Sequence, residues 1–270
     1  MKKYLLIFIF LGMYLNSSAE ENESIANSDT IYNGITGTAH TDILNTGTIK
    51  NDGSHGITGS SFSLIQNFGT ISNNGDYGID VSGDSVIVNG KGGEISNNGS
   101  FGIRLIDGEK VSNLGKINNK GEYGITAYST KEAINEKSGI ISNDGNTGFY
   151  IHNSTGTNDG TISNSGNYGF TIDSDSKGVN NGIIANKGKF GVAVYNSTFI
   201  NSAAGEIKNG SSYGLAIQNG GYGENYGIIA NKGNVGVSVS NSSSFVNHGT
   251  IEQEGEIAIL MGNGNNTLEL

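Results

Sequence analysis

The residues most able to perform chemistry are two pairs of carboxylates and a single arginine. Asp80 lies close to Asp84 in the sequence, Asp173 lies close to Asp175, and Arg104 is the only arginine of the chain. Polysaccharide lyases and glycoside hydrolases use paired carboxylates for acid–base catalysis inside a cleft. The insertions in this sequence add only two residues each, too few to build such a cleft. We therefore predict solvated acidic surfaces and no catalytic residue, with a carbohydrate-active enzyme as the alternative.

The sequence offers few ligands for a metal or a cofactor. It contains no cysteine, and its histidines occupy unrelated positions of the repeat described below: His40, His55, His152 and His248. The segment GNGNNTLEL (262–270) is similar to a calcium-binding nonapeptide, but Asn266 stands where the aspartate ligand belongs. We predict no metal site and no cofactor, and interpret this segment as a last strand with the apolar residues Leu268 and Leu270.

Composition restricts the class of protein. The chain has 44 glycines, no proline, no cysteine and no tryptophan, and only 34% of its residues are hydrophobic. Glycine does not recur at every third position, which excludes collagen. Disorder is not expected, because only 15% of the residues are charged and the apolar residues recur regularly. The formal charge of -10 argues against a nucleic acid or an anionic membrane as partner.

The N-terminus has the pattern of a secretory signal peptide. Lys2 and Lys3 precede an apolar stretch over 4–15, which is too short to span a bilayer. Small residues at Ser17 and Ala19 predict cleavage after Ala19, so residues 1–19 form the leader. We predict export through the inner membrane and no transmembrane segment in the mature chain.

The remainder of the chain is one repeat of about 22 residues, present in about eleven copies. The unit reads N-x-G-x-I-x-N-x-G-x-x-G-I-x-V, as in NFGTISNNGDYGIDV (67–81). Its apolar residues alternate with polar ones, which is the period of a strand. Each copy therefore supplies three short strands and one rung, meaning one complete circuit of the coil. We predict an all-β, single-stranded, right-handed parallel β-helix about 50 Å long.

Two asparagine positions recur along the repeat, and stacked amides can bond one another along such a column. We also expect asparagine to adopt, and glycine to supply, a left-handed backbone at the corners. The first column contains Asn45, Asn67, Asn89, Asn113, Asn135, Asn158, Asn180, Asn201, Asn225 and Asn247; the second contains Asn51, Asn73, Asn97, Asn119, Asn143, Asn164, Asn186, Asn209 and Asn231.

A further column precedes the G-I step and is aromatic. It could bind sugars by stacking, although corner packing is the interpretation we favour. Its members are Tyr77, Phe101, Tyr123, Tyr168, Phe190 and Tyr213.

The signal peptide, the N-x-G-T-I-x-N repeats and the segment 262–270 together resemble the passenger regions of Gram-negative autotransporters, the type V secretion adhesins. This resemblance covers roughly residues 27–270 and implies a β-helix displayed at the cell surface that acts in adhesion. Such proteins end in a β-barrel translocator, which the residues up to Leu270 do not include. We therefore expect a truncated autotransporter, a secreted stub, or the partner of a separately encoded translocator.

The sequence thus predicts three regions: the signal peptide over 1–19, a lead-in or cap over 20–32, and the β-helix over 33–270. We predict a non-catalytic, adhesin-like passenger at the cell surface or outer membrane, or in the periplasm where no translocator is available. The expected partner is a glycan or protein of a host or neighbouring cell. Self-association through the uncapped last rung is also expected, because an exposed strand edge can pair with another chain.

Overall fold

The computed structural model describes residues 23–61 and 63–270, and within them the chain is a parallel β-helix of about eleven rungs without helices. The predicted leader and the cleavage position Ala19 lie outside the described residues. Strands are numbered in chain order. Each rung contributes one strand to each of three parallel sheets, as the sequence predicted.

The first sheet has 12 strands in the described part of the chain, each beside its counterpart from the neighbouring rung. They are β1 (Glu23–Asn27), β4 (Thr41–Asn45), β7 (Leu64–Asn67), β10 (Val86–Asn89), β13 (Lys110–Asn113), β16 (Glu132–Asn135), β19 (Thr155–Asn158), β22 (Lys177–Asn180), β25 (Thr198–Asn201), β28 (Tyr222–Asn225), β31 (Ser244–Asn247) and β34 (Thr267–Glu269).

The second sheet holds the T-I-x-N strands, 11 of them in the same residues. They are β2 (Thr30–Ile31), β5 (Thr48–Asn51), β8 (Thr70–Asn73), β11 (Glu94–Asn97), β14 (Lys116–Asn119), β17 (Ile140–Asn143), β20 (Thr161–Asn164), β23 (Ile183–Asn186), β26 (Glu206–Asn209), β29 (Ile228–Asn231) and β32 (Thr250–Gln253).

The third sheet holds the G-I-x-V strands, again 11 among the described residues. They are β3 (Ile35–Thr36), β6 (His55–Gly59), β9 (Tyr77–Ser82), β12 (Phe101–Ile106), β15 (Tyr123–Tyr128), β18 (Thr147–His152), β21 (Tyr168–Asp173), β24 (Phe190–Tyr195), β27 (Tyr213–Gln218), β30 (Val235–Val239) and β33 (Ile257–Met261).

The register of the strands confirms the repeat. Ile95 on β11 pairs with Ile71 on β8, and Asn97 pairs with Asn73. Segment 20–32, predicted as a lead-in, already contributes β1 and β2, which pair with β4 and β5. The repeat therefore sets the position of each residue relative to its counterpart in the neighbouring rung.

The core is a continuous column of isoleucine and other apolar side chains enclosed by the three sheets. In the middle of the coil two phenylalanines, Phe149 and Phe170, stack with ring centroids 4.6 Å apart. Gly156 on the first sheet makes room for core side chains of the third sheet, since a Cβ there would lie 2.9 Å from Ile151 and 3.2 Å from the Phe170 ring. Large residues on one sheet are thus matched by glycine on another.

Both asparagine columns form hydrogen-bonded ladders, as predicted. In the first, each Nδ2 donates to the Oδ1 of the next rung, for example from Asn113 to Asn135 at 2.8 Å. This ladder also includes Asn27, which donates to Asn45. The second ladder follows the same pattern and ends with Asn231 donating to Gln253 Oε1 at 3.2 Å. The side chains of both ladders are buried except at the C-terminal end, where Asn247 and Gln253 are partly exposed, so most of the stacked amides satisfy one another where water cannot reach.

The prediction that ladder asparagines adopt a left-handed backbone was wrong. Among the described residues, non-glycine positive φ angles occur instead between the third and first sheets, at His40, Asp107, Ser129, Asn153, Ser174, Asp175, Asn196, Asn219, Asn241 and Ser242. Ladder asparagines end strands and stay extended, because they must pair with the rungs on both sides. Most corner glycines likewise lack a positive φ. They permit close approach: a Cβ at Gly121 would lie 1.5 Å from the Gly99 carbonyl oxygen.

Candidate binding face of the third sheet

On the third sheet, the outward side chains of the strands from β6 to β27 form a surface that we call the aromatic face. Along each of these strands Ile or Val points into the core, and the outward residues form three columns. The middle and last columns alternate with the core residues, whereas the first column lies just before the buried glycine, three residues before the middle column. The first column is His55, Tyr77, Phe101, Tyr123, Thr147, Tyr168, Phe190 and Tyr213; the middle column is Thr58, Asp80, Arg104, Thr126, Tyr150, Thr171, Ala193 and Ala216; the last column, from β9 onward, is Ser82, Ile106, Tyr128, His152, Asp173, Tyr195 and Gln218.

The aromatic residues of the first column pack by stacking on one another at the start of the third-sheet strands. One stack runs through Tyr77 and Phe101 to Tyr123, with centroids 5.1 Å apart at each step. His55, which we had not placed in this column, stacks on Tyr77 at 4.8 Å. A second stack, Tyr168 to Tyr213, follows beyond Thr147. The inner rings use both faces on their neighbours, which agrees with the packing interpretation favoured over sugar stacking.

Asp80 is held in an ion pair with Arg104 on the next strand. Arg104 Nε lies 2.7 Å from Asp80 Oδ1 and Nη2 lies 2.9 Å from Oδ2, while the guanidinium lies 4.2 Å from the centroid of the Tyr77 ring. His55 Nε2 is 3.4 Å from the other side of the same carboxylate. The hydrogen bonds to Asp80 raise the pKa of Arg104. Asp84 lies exposed in the turn after β9. The Asp80 carboxylate therefore contacts two basic side chains, Arg104 and His55.

Asp173 belongs to a second polar cluster. The Tyr150 hydroxyl donates to Asp173 Oδ2 at 3.2 Å, and His152 Nδ1 lies 3.6 Å from the same carboxylate. Burial, and then the charge of Asp173, raise the pKa of Tyr150. Asp175 has a positive φ in the following turn and accepts a hydrogen bond from Asn196 at 3.1 Å.

The two clusters are too far apart to cooperate as a carboxylate pair. Asp80 on β9 and Asp173 on β21 are separated by four strand spacings, about 19 Å. Glycoside hydrolases hold their two carboxyl groups between about 5 and 9.5 Å apart. Asp80 and Asp173 therefore do not form a glycosidase dyad with each other.

Two hydroxyl groups in the middle column have no hydrogen-bond partner. They are Thr126 Oγ1 and Thr171 Oγ1, both buried on the outer side of the sheet. At the next positions of the same column the fold places Ala193 and Ala216, packed beneath Tyr168, Tyr195 and Tyr213. Thr126 and Thr171 are thus exceptions to the pairing seen in the ladders.

Sequence reasoning missed a third ladder, at the corner between the third and first sheets. Here a backbone N–H donates to a side-chain oxygen of the next rung, as in Ser154 to Ser176 Oγ at 3.1 Å. The recurrence of Ser or Thr just before the first-sheet strands was the available signal: Ser63, Ser85, Thr130, Ser154, Ser176, Ser197 and Ser243.

Asn266 is also a member of this third ladder. Its Oδ1 accepts a hydrogen bond from the backbone N–H of Ser243 at 3.1 Å, and Leu268 on β34 pairs with Phe245. Segment 262–270 therefore supplies the last strand of the first sheet. Within residues 23–61 and 63–270 no three His, Asp or Glu residues are grouped to hold a metal.

No match was found when the chain was compared with models of protein families, with curated proteins and with solved structures. In the described part of the chain, no helix has the length and hydrophobicity to cross a membrane.

Proposed function

We propose that the chain is exported and displayed at the cell surface as the adhesin-like passenger of an autotransporter, and that it binds its partner through the aromatic face without catalysis. The observation that carries this proposal is the uneven distribution of side chains over the three sheets. Aromatic residues follow one another along the third sheet, whereas the outward positions of the second sheet, in the described residues, carry none.

The fold itself does not require this distribution. The second sheet forms the same rungs with Thr, Ser, Lys, Glu and Ile at its outward positions. Aromatic residues and arginine are enriched where proteins bind partners, because they offer large contact area with a polar tip. A rigid parallel sheet also holds them without entropy loss on binding.

Binding is favoured over catalysis by the state of the candidate carboxylates. Asp80 is paired with Arg104, Asp173 accepts a hydrogen bond from Tyr150, and Asp175 accepts one from Asn196. The net charge of -10 directs the proposal toward a neutral glycan or a protein of a host or neighbouring cell, and away from nucleic acid.

Export is supported by the leader-like pattern of residues 1–19. Expression of the full chain in a Gram-negative host, followed by mass spectrometry of the fractionated product, tests it. We expect a mature N-terminus at Glu20. A product that retains Met1 in the cytoplasm would contradict the export proposal.

Attachment of the purified mature chain to matrix proteins and to the producing cells tests the binding face. We expect the two variants Tyr77→Ala and Tyr213→Ala, each of which alters one aromatic stack, to reduce attachment about tenfold. The matched variants Thr70→Ala and Glu206→Ala, on the second sheet of the same rungs, should leave it unchanged. Equal attachment by all variants would refute the aromatic face as the binding surface. Cleavage of acidic or neutral polysaccharides, lost in Asp80→Asn or Asp173→Asn, would support the enzyme alternative instead.

A further inference from the structure

The two unpaired hydroxyls of the middle column mark a place where the sequence departs from what the fold needs. Thr126 is 0% exposed and Thr171 is 7% exposed, yet neither Oγ1 has a hydrogen-bond partner. Leaving a buried hydroxyl unpaired costs about 1–3 kcal/mol. The same column accepts Ala193 and Ala216 on the next strands, so an apolar residue fits this position. A cost that a simple substitution would remove points to a role outside stability.

Tyr150 lies between the two threonines. It is the register partner of Thr126 on one side and of Thr171 on the other. Its ring packs 5.8 Å from Tyr123 and 5.5 Å from Tyr128, the two aromatic residues on the strand of Thr126. Its hydroxyl is held by Asp173. Tyr150 is therefore the neighbour in the column that both threonines share.

The Tyr150 side chain is half-buried. A change of rotamer moves such a side chain without moving the backbone. With Tyr150 turned outward, the two hydroxyls, about 10 Å apart across two strand spacings, would face solvent together with Asp173 and His152. The rings of Tyr123 and Tyr128, released from Tyr150, would flank the opened site.

We propose that Tyr150 is the movable cover of a saccharide-binding site, in which Thr126, Thr171, Asp173 and His152 hydrogen-bond the hydroxyl groups of a neutral sugar and the Tyr128 ring contacts its apolar side. The inference rests on the proposed function and names the ligand class for the same face. Hydroxyl and carboxylate groups are matched by a ligand that carries several hydroxyls on an apolar ring. An anionic ligand would meet the charge of Asp173 and of the whole chain.

Calorimetric titration of the mature chain with defined neutral hexasaccharides of glucose, mannose, galactose and N-acetylglucosamine tests the proposal. We expect at least one of them to bind. The double variant Thr126→Val with Thr171→Val should weaken that binding about tenfold or more, because it removes two hydrogen bonds, and should also raise the thermal unfolding midpoint. Thr161→Val, outward on the second sheet, is the matched control and should change neither quantity.

Variants of Tyr150 should change the affinity for the hexasaccharide in the opposite direction. Tyr150→Ala, or Tyr150→Phe if the alanine variant does not fold, should bind the same hexasaccharide several-fold more tightly, because the population cost of opening is reduced. Loss of binding in a folded Tyr150→Phe variant, or unchanged binding in the double threonine variant, would overturn the proposal.

The outcomes also separate this inference from the proposed function. If no hexasaccharide binds while attachment to a protein surface still depends on Tyr77 and Tyr213, the saccharide site is wrong and the binding face stands. If neither sugars nor surfaces bind, both proposals fail.

Discussion

The asparagine ladders and the middle column of the aromatic face bury polar groups in opposite ways. In the first ladder the Asn135 amide donates to Asn158 at 2.8 Å and accepts from Asn113 at 2.8 Å. On the outer side of the third sheet, Thr126 and Thr171 are buried to a similar extent but lack any partner. Repetition explains the difference, since an identical residue in the next rung supplies both donor and acceptor.

The middle column has no such repetition. Its residues change at each rung from Asp80 through Arg104 to Thr126 and Tyr150, so each side chain depends on particular neighbours. Asp80 and Arg104 form an ion pair, whereas the hydroxyls of Thr126 and Thr171 have no hydrogen-bond partner. The ladders therefore stabilise the coil, whereas the irregular face is the surface for which we propose binding. Substitutions in the two regions should differ in size and even in sign.

The largest effect is expected inside a ladder. Asn135→Ala leaves Asn113 Nδ2 and Asn158 Oδ1 buried without this amide partner, at a cost of about 3 kcal/mol in the free energy of unfolding. Urea denaturation followed by circular dichroism measures it. Asn118→Ala is the control, because Asn118 faces outward and donates to Glu94, and it should cost less than about 1 kcal/mol. Similar costs for the two variants would remove the distinction between ladder and surface.

A smaller loss is expected for the paired charges of the aromatic face. Arg104→Ala removes a two-point ion pair and a contact with the Tyr77 ring, with side chains 24% and 14% exposed for Arg104 and Asp80. We expect a loss of about 1–2 kcal/mol, measured with a double-mutant cycle that includes Asp80→Ala. Lys232→Ala breaks an exposed pair with Glu254 and should cost less than about 0.5 kcal/mol. A coupling energy near zero would show that the Asp80 and Arg104 side chains do not stabilise each other.

The smallest effect should have the opposite sign. Thr126→Val replaces an unpaired buried hydroxyl by a methyl group of similar shape, so the chain should become more stable by about 1 kcal/mol. Thermal unfolding compared with Thr161→Val measures this gain. Destabilisation by Thr126→Val alone would mean that the hydroxyl is satisfied in solution, and the contrast with the ladders would be lost.

Much of the fold follows from the sequence because the coil repeats. The isoleucine two residues before each second-sheet asparagine fixes the register of the rungs, so the pairing of Ile71 with Ile95 follows from the repeat. The ladders followed for the same reason. Asn27 was missed because it lies 18 residues before Asn45, outside the regular spacing, and Gln253 was missed because it is a different residue. The corner conformation was predicted wrongly because strand pairing outweighs the tolerance of asparagine for a left-handed backbone.

The aromatic face was only partly predictable. Arg104 and Asp80 occupy the same repeat position, so their pairing could have been read from the register. The orientation of Tyr150 toward Asp173 could not, since it depends on the rings of Tyr123 and Tyr128 around it. Pattern determines which positions are adjacent, whereas side-chain packing determines which adjacent groups interact.

The in-register stacking of successive rungs can be tested directly by disulfide trapping, because the chain has no cysteine of its own. Ser72 and Ser96 are register partners on the outer side of the second sheet, and Asn118 lies one strand further. Neighbouring strands about 4.8 Å apart are within disulfide reach, and strands about 10 Å apart are not. We predict rapid intramolecular oxidation of the variant Ser72→Cys with Ser96→Cys, and none for Ser72→Cys with Asn118→Cys. Equal oxidation of the two variants, or oxidation of the second alone, would contradict the stacked coil.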